Sequence, residues 1–262
     1  MRRRTLLSLP ALGGLAAALA ACGREEDRPV GAPRTTRHAY GDDPAQYAEL
    51  TRPERDERPE RGVAVLVHGG FWKPQYGIEY AQPLVPSLVA AGWATWAIEY
   101  RRGTGAADTL ADVRAAIDAL PVATDVVVGI GHSAGGHLVT WAAHGGGLTH
   151  VVSQAGVLDL RAAYDDGLGG GAVELFLGHP PGRADAAVDP VRMLPLGLPL
   201  WCAHGRADDV VPPSQSQTYV QAARAAGDPA ELVEVDGDHF TVVDPGSDAW
   251  ARQLRILDGL SG

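Results

Sequence analysis

The chain has 262 residues, of which 45% are hydrophobic and 21% are charged, and its formal net charge is −10. This length and hydrophobic fraction suit one α/β domain with a core of its own, and they exclude a largely disordered protein. The negative charge argues against a general nucleic-acid-binding protein, which needs a cationic surface to meet phosphates, and two cysteines exclude a disulfide-rich scaffold.

The N-terminus has the layout of a secretory signal peptide. Residues 1–21 combine a basic start with an apolar run that is short for a membrane-spanning helix. The run ends in Leu-Ala-Ala before Cys22, which resembles a bacterial lipobox, in which the cysteine is lipidated and becomes the mature N-terminus. We therefore predict an exported lipoprotein, held by its lipid on the outer side of the bacterial cytoplasmic membrane or in the periplasm. A plain signal peptide with an incidental Cys22 is the alternative.

Residues 22–37 are rich in charge and proline and are predicted to form a tether, with the folded domain at 38–262. A stretch at 46–51 is a candidate edge strand. Strands are then predicted at 63–67, 93–98, 125–130, 151–152, 198–203 and 231–235, and helices at 79–91, 107–120, 134–144, 213–227 and 248–257. Apolar strands that alternate with helices predict an α/β fold with a mostly parallel, doubly wound sheet. Residues 156–197 break the alternation and are predicted to form a small cap over the pocket.

The first candidate site is the Gly-x-Ser-x-Gly pattern at 131–135, between a predicted strand and a predicted helix. A tight turn of this kind exposes a serine hydroxyl, and flanking glycines avoid a clash within it. We predict Ser133 as a nucleophile and the backbone amide of Ala134, at the start of the helix, as a donor to an oxyanion. A glycine-rich turn with a capping serine is the alternative.

The second candidate is the segment His-Gly-Gly-Phe-Trp at 68–72, directly after a predicted strand. Glycines let a backbone approach closely, so the amides of Gly70 and Phe71 are predicted as further oxyanion donors. Phe71, Trp72 and Tyr100 are predicted to line a substrate pocket, a role suggested by residue type alone. A glycine turn with two core aromatics is the alternative.

Two further loops supply an acid and a base. Asp208 and Asp209 follow the strand at 198–203, where a carboxylate can orient a histidine; the spacing favours Asp208, with Asp209 or a solvated acidic turn as alternatives. His239 follows the last predicted strand and is the predicted general base. His132, beside the serine, is predicted to point away from the chemistry.

From about residue 40 onward the sequence resembles an α/β-hydrolase of the kynurenine formamidase (arylformamidase)-like and bacterial esterase group. The order Ser133, Asp208, His239 is the order of that fold. The resemblance rests on HGGFW at 68–72, EYRR at 99–102, GHSAGGHL at 131–138, AGVLDL at 155–160, HGRADDVVP at 204–212 and DHF at 238–240. The first of these motifs is the more specific tie to formamidases, although feruloyl and acetyl-xylan esterases carry a similar one.

The resemblance implies a Ser-Asp-His triad, no cofactor and no metal, and the acidic composition predicts no nucleic-acid partner. It also implies hydrolysis of a small ester or amide, formamides included, through an acyl-enzyme. The lipobox departs from formamidases of tryptophan breakdown, which are expected in the cytoplasm, so a feruloyl or acetyl-xylan-type carboxylesterase is the alternative.

Two functions of other classes are alternatives to the hydrolase. A non-catalytic surface lipoprotein would use the fold as a binding module, which a complete set of catalytic residues disfavours. A serine peptidase acting on short peptides shares the fold, but no region before the domain is large enough for the β-propeller that gates such peptidases.

Overall fold

The structure is a computed structural model that describes residues 34–53 and 60–260. The predicted signal peptide, Cys22 and the first part of the predicted tether lie outside the described residues. Within these ranges, no helix is both long enough and apolar enough to cross a lipid bilayer.

Eight strands of the described part of the chain form one sheet, in the order β1-β2-β4-β3-β5-β6-β7-β8. They are β1 (Arg34–Ala39), β2 (Tyr47–Arg52), β3 (Val63–Val67), β4 (Ala94–Ile98), β5 (Val127–His132), β6 (His150–Gln154), β7 (Leu200–Gly205) and β8 (Ala230–Val235). β1 and β2 run antiparallel to their neighbours, and all pairs from β4 to β8 are parallel. The predicted mostly parallel sheet is therefore confirmed.

In the described ranges, seven α-helices connect and cover the strands. They are α1 (Val85–Ala90), α2 (Ala106–Asp118), α3 (Ala134–Ala143), α4 (Leu160–Asp165), α5 (Ala172–Leu177), α6 (Ser214–Ala225) and α7 (Asp248–Asp258). The helix predicted at 79–91 is broken into two 3₁₀ turns, Ile78–Tyr80 and Gln82–Leu84, before α1. Prolines at 83 and 86 explain the break, because they lack the N–H that a continuous helix needs.

The core lies on both faces of the sheet, as strand β3 shows. Val63, Val65 and Val67 belong to the apolar cluster that includes residues of α2, α3 and α6. Ala64 and Leu66, on the opposite face, belong to the cluster that includes residues of α1 and α7. Burial on both faces explains why this strand is an uninterrupted apolar run, and it confirms the doubly wound arrangement.

The N-terminal edge of the sheet differs from the sequence prediction. Residues 34–37, predicted as part of the tether, belong to β1, which pairs antiparallel with β2. The predicted edge strand at 46–51 corresponds to β2, which lies inside the sheet between β1 and β4. The side chains of β1 are almost all exposed, so this strand has no apolar pattern by which it could be recognised.

The segment between β6 and β7 forms the predicted small cap. This cap insertion, residues 156–197, contains α4, α5 and 3₁₀ turns at Arg183–Val188 and Pro190–Arg192. Val173 and Phe176 of α5 are buried in the same cluster as Trp72, whereas Leu175 is exposed. The insertion is thus anchored to the core near the second candidate site.

Candidate active site

Ser133 occupies the turn between β5 and α3, with φ 54° and ψ −118°. Non-glycine residues rarely adopt a positive φ, and such conformations concentrate at functional sites. A Cβ at Gly131 would overlap the carbonyl oxygen of Gly135, and a Cβ at Gly135 would overlap the carbonyl oxygen of Val67. Both glycines of the motif are therefore required for α3 to begin so close to β3 and β5.

His239 and Asp208 are in direct contact, with 2.7 Å between Nδ1 and Oδ2. Asp208 follows β7 and is 7% exposed, whereas its neighbour Asp209 is exposed. The structure thus selects Asp208 over the alternative Asp209 as the partner of the histidine. Because the carboxylate accepts the Nδ1–H, a neutral His239 keeps its free electron pair on Nε2, where a general base needs it.

The carboxylate of Asp208 is held by several donors. Oδ1 accepts the backbone amides of Val210 and Val211 at 2.9 and 2.8 Å. Nε2 of His204 lies 3.1 Å from Oδ2 and also 2.9 Å from the carbonyl oxygen of Val211. Burial alone would raise the pKa of Asp208, but the hydrogen bonds from His204, His239 and Val211 outweigh it and hold the pKa well below its ordinary value. The group is therefore charged at neutral pH.

The predicted oxyanion donors lie on two loops that meet at Ser133. A Cβ at Gly69 would lie 3.0 Å from the Cβ of Ser133, so the loop at 68–73, here called the HGG loop, packs directly on the serine. Among the described residues, the backbone amides of Gly70, Phe71 and Ala134 donate no hydrogen bond. Unpaired amides beside a serine are what an oxyanion hole requires.

Side chains of the EYRR motif, residues 99–102, hold the HGG loop in place. Tyr100 stacks on His68 with ring centroids 4.4 Å apart, and its hydroxyl donates to the carbonyl oxygen of His68 at 2.8 Å. Glu99 lies 3.2 Å from Nε2 of His68 and pairs with Arg102. Its other oxygen accepts the amide of Ile78 at 2.9 Å. This network ties the end of β4 to the end of β3.

Two of the predicted pocket residues have another role. Tyr100 has no exposed surface, because it lies beneath His68. Trp72 is only 3% exposed, because it stacks on Phe176 of the cap insertion at 4.4 Å. Both side chains therefore pack in the core, where they hold the HGG loop and the cap insertion, and a pocket role for either stays a prediction. Phe71 is half-buried and keeps part of its surface free.

Two residues beside His239 make contacts that the sequence did not predict. Nε2 of His132 donates to the carbonyl oxygen of His239 at 3.0 Å, and the two rings lie 4.5 Å apart, so His132 does not point away from the chemistry. Burial, together with the nearby His239, lowers the pKa of His132 to about 3, which keeps this ring neutral. Phe240 is 57% exposed and its ring lies 5.2 Å from that of His239. A loop phenylalanine carries no sequence signal that separates such a position from a core one.

The structure therefore brings Asp208 and His239 together and places Ser133 beside the HGG loop and the amide of Ala134, which carry the predicted oxyanion donors. It shows no hydrogen bond between the Ser133 hydroxyl and His239 in the part of the chain that it describes; in unliganded sites such bonds are often long. No group of three or more metal-ligating side chains lies close enough to hold a metal ion within the described ranges.

Comparison with known proteins gives a family match over most of the chain. The sequence model of the prolyl oligopeptidase family matches residues 91–257, a stretch that contains the serine, the aspartate and the histidine. A search of individual curated proteins finds no match.

Solved structures of esterases share the fold. A truncated carbohydrate esterase from gut microbiota has a TM-score of 0.72 at 18% identity, covering 87% of this chain and 95% of that one. Native esterase 2 of the planctomycete Thermogutta terrifontis has a TM-score of 0.68 at 23% identity, covering 86% and 90%. A bifunctional GH43-CE protein of Bacteroides eggerthii has a TM-score of 0.73 at 21% identity and covers 85% of this chain, which spans only 38% of that protein. These likenesses confirm the predicted α/β-hydrolase fold.

The close packing at the start of α3 predicts a large effect of Gly135→Ala. The added Cβ would press on the carbonyl oxygens of Val67 and His68, which belong to a strand end and cannot yield, so we expect the free energy of unfolding to fall by about 3 kcal/mol. Gly146→Ala is the matched control, because Gly146 has φ 81° and open space around it. Its cost should be the strain alone, about 1 to 2 kcal/mol. Urea unfolding of both variants measures the difference; equal losses would contradict the packing argument.

Proposed function

The chain belongs to the prolyl oligopeptidase family of serine hydrolases, and from this premise we propose that it cleaves an ester or amide bond of a small substrate through an acyl-enzyme. The observation that carries the proposal is the 2.7 Å contact between His239 Nδ1 and Asp208 Oδ2, beside a serine held in a strained turn. We further propose that Ser133, Asp208 and His239 form the catalytic triad. The three residues follow the ends of β5, β7 and β8. This placement supports the proposal, because the carboxyl ends of parallel strands meet at one edge of a sheet.

The acylation step follows from the positions of these groups. The Oγ of Ser133 attacks the substrate carbonyl carbon while Nε2 of His239 takes the hydroxyl proton. The carbonyl oxygen becomes an oxyanion and accepts hydrogen bonds from the amide of Ala134 and from the Gly70–Phe71 backbone. Asp208 stabilises the imidazolium that forms.

The acyl-enzyme then forms and is hydrolysed. The tetrahedral intermediate collapses, the bond to the leaving group breaks, and His239 gives its proton to that group. Water then attacks the ester of Ser133 with His239 again as the base. The acid product leaves and the serine hydroxyl is restored.

More specifically, we propose that the substrate is an aryl formamide, as for a kynurenine formamidase. The HGGFW motif supports it, and so do the free surfaces of Phe71 and Phe240, which offer apolar contacts to an aryl group next to His239. A carboxylesterase that removes acetyl or feruloyl groups from polysaccharides is the alternative, supported by a fold shared with a carbohydrate esterase.

Peptide hydrolysis is a second candidate, because the family match carries the name of a peptidase. The same triad would cleave a peptide bond by the same two steps, and only the leaving group would differ. A non-catalytic binding role is disfavoured by the charged Asp208, the neutral His132 and the unpaired amides, a costly arrangement that binding alone does not need.

We also propose that the protein is exported and held at the membrane by a lipid on Cys22. The sequence of residues 1–22 supports this proposal, and those residues lie outside the described part of the chain. Such a location would separate the enzyme from cytoplasmic formylkynurenine, and it would favour a substrate met outside the cytoplasm.

Replacement of the nucleophile tests the central proposal. Ser133→Ala should lower kcat/KM for p-nitrophenyl acetate at least about 10⁴-fold, because the covalent step is lost. The variant should also resist covalent labelling by a fluorophosphonate probe, and circular dichroism should show an unchanged fold. A folded Ser133→Ala protein with wild-type turnover would show that another group performs the reaction.

A substrate panel separates the candidate activities. We expect the full chain to hydrolyse N-formylkynurenine, p-nitrophenyl acetate, acetylated xylan and a prolyl p-nitroanilide at very different rates, because one aryl, sugar or peptide leaving group fits its site best. Formyl-amide turnover well above the esters would support a formamidase. Strong deacetylation of xylan would support the esterase, and anilide cleavage above both would support the peptidase.

The lipid anchor can be tested in bacterial cells. The wild-type chain should incorporate labelled palmitate and remain with the membrane fraction, because a thioether-linked diacylglycerol supplies its hydrophobic anchor. Cys22→Ser should abolish incorporation, whereas Cys202→Ser should not, since Cys202 is a buried residue of β7. Labelling that survives in Cys22→Ser would remove the proposed site.

A further inference from the structure

Three consecutive residues of the HGG loop contact the cap insertion. The ring of Phe71 lies so close to Gly169 that a Cβ there would be 2.6 Å from Cδ1. Trp72 stacks on Phe176 at 4.4 Å, and Nζ of Lys73 donates to the carbonyl oxygen of Gly169 at 2.6 Å. The loop that carries two predicted oxyanion donors is therefore attached to an element outside the sheet.

Two of these three residues have a strained backbone. Phe71 and Trp72 have φ values of 53° and 55°, a region that bulky side chains avoid. Such conformations persist only where the surroundings fix them. Within the loop, the amide of Lys73 closes a turn on the carbonyl oxygen of Gly70 at 3.0 Å. The contacts to Gly169 and Phe176 hold the other side of these two residues.

The positive charge of Lys73 strengthens the hydrogen bond that it makes to the cap insertion. Lys73 is the only lysine of the chain. Within the described residues no carboxylate lies within ion-pair distance of Lys73. Its ammonium group instead donates to the Gly169 carbonyl oxygen and lies 5.9 Å from the centroid of the Phe71 ring. A hydrogen bond from a charged donor is about twice as strong as a neutral one.

We propose that Lys73 is a positioning residue of the hydrolase, and that its bond to Gly169, together with the Phe71–Gly169 contact, keeps the amides of Gly70 and Phe71 aimed at the oxyanion. We call this pair of contacts the cap clasp. The inference rests on the proposed function. It assigns the cap insertion a part in transition-state stabilisation, beyond covering the site.

Lys73→Met tests the hydrogen bond. It keeps the length of the side chain and removes the donor, so kcat for p-nitrophenyl acetate should fall about tenfold while KM changes less than about threefold, because oxyanion donors act on the transition state. Lys73→Arg keeps the charge and donors and should recover most of kcat. Rates are normalised to the fraction of sites that reacts with the fluorophosphonate probe at the end point, which removes any misfolded protein.

Gly169→Ala tests the contact with Phe71 and has a closely matched control. Gly169 and Gly170 have φ values of 59° and 66°, so alanine at either position carries the same backbone strain. A Cβ at 169 meets the Phe71 ring, whereas a Cβ at 170 has nothing within 4 Å. We expect kcat to fall about tenfold or more in Gly169→Ala and less than about twofold in Gly170→Ala. Both variants should lose Tm through backbone strain, and Gly169→Ala should lose more because its Cβ displaces the Phe71 ring.

The outcomes separate this inference from the proposed function. If the wild-type chain shows no turnover that depends on Ser133, both fall. If that turnover is present, but Lys73→Met or Gly169→Ala retains wild-type kcat, or Gly170→Ala loses as much as Gly169→Ala, the cap clasp alone is overturned.

Discussion

The second and third residues of α3, Gly135 and Gly136, pack so tightly on neighbouring backbone that neither position admits a side chain, and the site is built around that approach. Gly135 lies against the carbonyl oxygen of Val67, and Gly136 lies against Gly156. The first contact brings the end of β3, and with it the HGG loop, beside Ser133. The second brings the beginning of the cap insertion to the same helix. These two contacts thus limit how far the proposed nucleophile can lie from two of the loops around it.

A second constraint is electrostatic. The buried carboxylate of Asp208 would be costly without partners, and two backbone amides and two histidines supply them. Each partner comes from a loop or strand end that also contributes to the site. The hydrogen bonds that stabilise the buried carboxylate therefore also hold these loops together. The neutral His132 completes this arrangement by holding the backbone of His239 without adding a charge.

Much of the sheet could be predicted because its strands are buried on both faces and are therefore uniformly apolar. Ser133, Asp208 and His239 could be proposed as a triad because each follows such a strand. That Asp208 is buried and Asp209 exposed is a distinction that only packing supplies. Strand β1 escaped prediction because its exposed side chains leave no period. The burial of Trp72 and Tyr100 escaped it because aromatic side chains suit a pocket wall and a core equally, and the choice depends on Phe176 and His68, distant in sequence.

The scarcity of lysine gives the molecule an unusual chemical property. Reagents that acylate or alkylate amines find many targets on most proteins, but here Lys73 offers the one side-chain amine, and it lies on the HGG loop. Attachment of a dye, a crosslinker or a solid support through side-chain amines would therefore fall on the HGG loop, which packs against Ser133. The numerous arginines, whose guanidinium groups do not react under the same conditions, leave the rest of the surface untouched.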